Sequence, residues 1–232
     1  LHMFEIDTGR RLGVDAPILE GATPQLLHVA PDVAVLMAEG REAVAYELPS
    51  GALRWKVDLA HTSLRAAEVT SAGLVLLGLR RLAAEPDEVP FLAVVDMKSG
   101  KFLRLKEKLE VADPRFLLAE GSTAYIVSRE ADGRFAVRHV DLGDLSSGWS
   151  AAAGGGRDST LLPPALTEGH VVVMSFAQAP DGKYGYEAAL LDRAGKHVQN
   201  IEGGRTFDRP PTGVVRPGGV VFTVDNRVEF YR

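Results

Sequence analysis

Asp7-Thr8-Gly9 is the triplet in this chain that most directly suggests catalysis, because an Asp-Thr-Gly loop carries the carboxylate of an aspartic protease. That chemistry needs two carboxylates sharing one proton in a paired, buried arrangement. No second Asp-Thr-Gly or Asp-Ser-Gly exists here, and Arg10-Arg11 follows where a small or apolar residue is expected. The triplet therefore reads as a turn. Gly154-Gly155-Gly156-Arg157-Asp158-Ser159 invites a phosphate-loop reading, yet it lacks the lysine and the strand-to-helix setting that such a loop needs. It reads instead as a flexible, solvated connector over Ala151–Arg157. The six histidines (His2, His28, His61, His139, His170 and His197) show no metal-binding spacing. Asp132-Gly133 and Asp181-Gly182 lack the alternating oxygen ligands of a calcium loop and read as hairpin tips. There is no Gly-x-Ser-x-Gly elbow, and with no cysteine there is no thiolate, disulfide or cysteine-ligated metal. The expectation is a chain with no catalytic residue, no metal and no cofactor.

Asp7-Thr8-Gly9 is one copy of a recurring unit: an apolar run, an acidic residue, a turn with glycine, then a second extended run. The acidic residues are Asp7, Glu47, Asp96, Asp141 and Asp192, at intervals of 40, 49, 45 and 51 residues. The clearest turn glycines are Gly9, Gly51, Gly100 and Gly195. A period of about 40–50 residues with several short strands per unit predicts a β-propeller of four-stranded antiparallel blades. The units run approximately 1–22, 23–60, 61–109, 110–150, 151–203 and 204–232 within one domain. Four are complete, and the first and last are partial. Strands are expected at 26–30, 33–38, 43–47 and 52–59, with the same order in the later units. Either about five blades close into a ring, or the chain is a portion of a larger propeller. Leu1-His2-Met3 resembles a cloning remnant.

Composition narrows the partners. Apolar residues make up 46% and charged residues 25%, values of an ordinary globular protein. The net charge is −5 and no basic stripe is apparent, which argues against nucleic acid. No apolar run reaches the ~18 residues a spanning helix requires. The first residues do not form a signal peptide.

Ala45-Tyr46-Glu47, Ser50-Gly51 and Trp55 together resemble the tryptophan-docking repeat of the quinoprotein-type (PQQ-like) β-propellers. Asp7-Thr8-Gly9 and Asp96…Ser99-Gly100 match its first part without the tryptophan. The acidic side chain can accept amide bonds across the turn, glycine supplies positive φ, and the indole wedges between blades. Trp55 is thus expected to be structural. Trp149 directly follows Gly148 instead of lying four residues after it, which leaves its role open. Asp141 and Asp192 complete the set of corners.

The resemblance implies the BamB-like, non-enzymatic branch of that bacterial family, an extracytoplasmic location and a protein or peptide partner. The enzymatic branch uses a longer ring and a calcium-bound cofactor, for which no block is recognisable here. Partner contacts are expected on the longer connections, 82–90, 151–164, 179–185 and 203–211. Aromatic and arginine residues dominate interface energetics, so Tyr184, Tyr186, Arg205, Phe207 and Arg209 are the candidates. The bland alternative is that these residues only pack loop ends. The competing functional reading is a quinoprotein-type oxidoreductase or a small-ligand-sensing ectodomain fragment.

Overall fold

A computed structural model describes residues 3–4, 11–12, 24–38, 42–59, 62–202, 207–216, 219–224 and 227–231. Every regular element among them is a strand. The strands form consecutive antiparallel sheets in which, the short strand Thr160–Leu161 apart, each strand pairs with a neighbour in sequence, as tight turns between short apolar runs require. The chain divides into two compact units, Leu1–Leu109 and Glu110–Arg232, described separately below. The division falls where the sequence repeat passes from 61–109 to 110–150.

In the first unit, β1 (Met3–Phe4) pairs with β2 (Arg11–Leu12). Asp7 and Gly9, between them, lie outside the described residues. The first complete blade contains β3 (Pro24–Ala30), β4 (Val33–Ala38), β5 (Glu42–Glu47) and β6 (Leu53–Asp58). The second contains β7 (Thr62–Thr70), β8 (Gly73–Arg81), β9 (Glu88–Val95) and β10 (Phe102–Glu107). The two middle strands of each blade are near-continuous apolar runs, and they are buried on both faces. Alternate residues, Val35, Ala45, Leu74, Leu76, Ala93 and Val95 among them, meet in one cluster spanning both blades, with Trp55 in it.

The second unit repeats the scheme. Its first blade is β11 (Asp113–Glu120), β12 (Thr123–Arg129), β13 (Phe135–Asp141) and β14 (Ser147–Ala152). In the next, the inner strand is broken in two, β15 (Thr160–Leu161) and β16 (Ala165–Leu166). Both pair with β17 (His170–Gln178), which is followed by β18 (Tyr184–Asp192) and β19 (His197–Glu202). Pro163-Pro164 explains the break, since proline supplies no ladder N–H. Three strands end the described chain: β20 (Thr212–Arg216), β21 (Gly219–Val224) and β22 (Arg227–Tyr231).

One expectation fails. Ala151–Arg157 is not a solvated connector: Ala153 is buried, and Gly155 is packed against the Phe135 ring so closely that a Cβ there would overlap it. The glycines are required by this close approach and by positive φ, +79° at Gly154 and +75° at Gly155.

Candidate functional site

The repeat corners are built alike. At the β5–β6 corner Glu47 N donates to Ala52 O at 2.8 Å and Gly51 N to Glu47 O at 2.7 Å, with Gly51 at φ +71°. At the β9–β10 corner Asp96 N donates to Lys101 O and Gly100 N to Asp96 O, both at 2.8 Å, with Gly100 at +69°. The β13–β14 corner closes the same loop, Asp141 N to Ser146 O at 3.0 Å, but its left-handed residue is Leu145 at +59°. The β18–β19 corner is one residue shorter: Asp192 N donates to Lys196 O at 2.9 Å, and Gly195 sits at +82°.

Leu145 therefore holds the place of the motif glycine, and Trp149 lies four residues after it, as Trp55 lies four after Gly51. Both tryptophans dock alike. Trp55 Nε1 donates to Met97 O at 2.7 Å, and Trp149 Nε1 donates to Arg193 O at 3.0 Å. Each acceptor directly follows the corner acid of the next blade, and each indole packs so closely on that corner's glycine, Gly100 or Gly195, that a Cβ there would overlap it. The second dock is extended by aromatic contacts, with His139 stacked on Trp149 at 5.8 Å and Arg193 over Tyr125 at 5.4 Å.

The docks are not repeated at every blade. In register terms Trp55 faces Ala45, two residues before its corner acid, while Arg104 faces Val94 and Gln199 faces Leu190 at the matching positions. Each compact unit thus contains one tryptophan dock. The blade that ends the first unit carries an arginine where the indole would stand.

The Asp96 carboxylate accepts bonds from Ser99 Oγ at 2.5 Å, Ser99 N at 3.1 Å and Lys98 N at 3.3 Å. The Ser99 hydroxyl first, then the backbone amides, hold its pKa below the ordinary aspartate range. A lowered carboxylate pKa adds stability that is present above the unfolded value, about 3.9, and fades as pH falls through the folded one. Melting of wild type and Asp96→Asn from pH 7 to pH 3 should show a wild-type advantage at neutral pH that shrinks below about pH 4. An advantage independent of pH would contradict the role of the charge.

The loop aromatics are placed differently from a contact surface. Tyr186 stacks on Phe222 at 4.1 Å and on Phe207 at 5.8 Å, and both Tyr186 and Phe207 are buried. Tyr184 exchanges two backbone bonds with Phe207, at 2.7 and 2.9 Å, and meets Phe176 edge-on. These residues pack the inside of the second unit. Only Arg209 is exposed, and Arg205 lies outside the described residues.

Exposed apolar residues gather elsewhere, on β10. Phe102 is 45% exposed, Leu103 51% and Leu105 42%. Among the described residues, the outer strands β6 and β19 show one such large residue each, Leu53 and Val198, β14 shows none, Val228 is exposed on β22, and the opposite edge strand β3 shows two, Leu26 and Val29. Sequence reasoning expected a strand here but did not single it out as a surface. Its signal was a strand with apolar residues at adjacent positions, where a one-sided strand would alternate. Among the described residues no group of three or more His, Asp or Glu is arranged to hold a metal ion.

Against known proteins, one comparison decides the architecture. The crystal structure of the computationally designed Ika8 protein, a propeller, aligns over 99% of this chain with a TM-score of 0.66 at 15% identity. The fold is a β-propeller of four-stranded antiparallel blades. The chain spans 64% of the length of Ika8. BamB from Moraxella catarrhalis is matched over 85% of this chain and 78% of its own, at 14% identity and a TM-score of 0.43. The designed Ika4 protein is matched over 73% and 91%, at 13% identity and 0.44. No family profile matches the chain, and no curated protein matches it in sequence.

Proposed function

We propose that this chain is a non-catalytic propeller that acts as a protein-binding scaffold. The observation that carries the reading is the run of exposed apolar side chains at Phe102, Leu103 and Leu105 on one outer strand. Exposed apolar side chains gathered on one edge strand offer a surface of the kind that protein partners cover. The blades behind it are densely packed, so the strand is presented by a rigid support.

Cross-linked capture from the source cells tests the proposal. Wild type should recover specific partners, Leu103→Ser/Leu105→Ser should lose most of that recovery, and Tyr184→Ala/Arg209→Ala should retain it. Equal recovery by all three would overturn the assignment. A melting shift with PQQ and calcium, accompanied by dye-linked dehydrogenase activity, would favour the oxidoreductase reading in its place.

A further inference from the structure

The outer edge of β10 has a chemistry of its own. Among the described residues β10 pairs only with β9, so its other edge offers unpaired backbone N–H and C=O groups. The register shifts between Phe102 and Arg104, which brings Leu103 out as the bulged residue. The surrounding segment, Lys98–Lys108, carries five cations (Lys98, Lys101, Arg104, Lys106 and Lys108) and one acid, Glu107, in a chain whose net charge is −5. Glu107 is engaged by Arg80 at 2.8 Å, and Lys108 by Glu85 at 2.5 Å. Lys101 and Arg104 take no acidic partner among the described residues. The outer strands β6, β14 and β19 differ. On β6 the cations are neutralised, Arg54 by Asp32 at 3.1 Å and Lys56 by Glu42 at 2.5 Å, while β14 and β19 contain no lysine or arginine.

We infer that β10 receives an extended, acidic, apolar segment of another protein, which adds to the blade as a fifth strand. The inference rests on the scaffold reading and specifies its partner. Backbone pairing supplies the affinity, Phe102, Leu103 and Leu105 supply the apolar contacts, and Lys101 and Arg104 select carboxylates. A second copy of this chain is disfavoured, because two β10 strands would bring like charges face to face. Nucleic acid is disfavoured because a phosphate backbone leaves the apolar side chains and the strand edge unmatched. One strand buries less area than a stable interface needs, so an isolated peptide binds weakly and reversibly.

The test uses the full chain and an acetylated eight-residue peptide of alternating glutamate and valine, followed by anisotropy and by hydrogen exchange. The peptide should slow amide exchange in 102–107. Lys101→Glu/Arg104→Glu should weaken it about tenfold, as expected when two attractive charge pairs become repulsive. Lys183→Glu/Arg209→Glu, with the same charge change on another surface, should bind as wild type does. Equal weakening by both variants, protection confined to other strands, or tighter binding of a lysine–valine peptide, an oligonucleotide or anionic vesicles would overturn the inference. So would a concentration-dependent dimer that protects 102–107. If captured partners are lost with Leu103→Ser/Leu105→Ser while the acidic peptide leaves β10 unprotected, strand addition fails and the scaffold reading stands. If neither effect is seen, the scaffold reading fails as well.

Discussion

Trp55→Ala is expected to destabilise the first compact unit by about 3–5 kcal/mol, the range for truncating a buried aromatic side chain. Trp55 is 6% exposed and belongs to the cluster that spans both blades of that unit. Truncation removes the indole from the Gly100 corner and leaves Met97 O without its donor. Trp55→Phe separates the two contributions: it keeps most of the apolar area and loses the hydrogen bond, at about 1–2 kcal/mol. Arg104→Ala, at the equivalent position of the next blade, should stay within about 0.5 kcal/mol, since no indole docks there.

The decisive measurement is a double-mutant cycle with Gly100→Ala. An alanine Cβ at Gly100 would lie 2.8 Å from Trp55 Cγ, and the residue sits at φ +69°. The φ term costs about 1 kcal/mol in any background, whereas the overlap exists only while the indole is present. In chemical denaturation, Gly100→Ala should therefore cost about 1–2 kcal/mol less in the Trp55→Ala background than in wild type. Additivity within about 0.5 kcal/mol would mean that the two residues do not form a dock.

The corners and strands were legible because every blade repeats the same local problem. An apolar run must end, reverse and return, and an acid with a following glycine does this wherever it occurs. Gly51, Gly100 and Gly195 announced their corners through composition alone. Leu145 could not, because nothing in its identity marks a left-handed residue; the neighbouring Gly148 therefore drew the register off by three positions and hid the Trp149 dock. The loop candidates were chosen by residue type, and type does not encode burial. Tyr186 is covered by Phe222, thirty-six positions away in sequence. On β10 the composition was plain, but only the sheet order reveals that the strand lies at an edge. The Arg205 and Asp7–Gly9 expectations fall outside the described residues.

The triple-glycine segment supplies the second large effect, because it is held from both sides. Glu187 Oε1 accepts a bond from Ser175 Oγ at 2.9 Å and another from Gly155 N, while Ser175 is buried. Across the segment, Arg129 lies 4.7 Å from the Phe135 ring centre and donates to the carbonyls of Gly156, Arg157 and Ser159. Glu187→Ala deprives a buried hydroxyl and a backbone N–H of their acceptor at once, an expected loss of about 2–6 kcal/mol at 1–3 per unmade bond. Glu187→Gln keeps an oxygen in place and should cost about 1 kcal/mol or less. Gly155→Ala should cost about 2–4 kcal/mol through overlap with Phe135 added to its φ of +75°. Amide exchange of 153–159 should accelerate in both alanine variants and hardly change in Glu187→Gln. A Gly155→Ala protein as stable as wild type would restore the solvated-connector reading, because a chain with freedom there could move its new methyl group aside without cost.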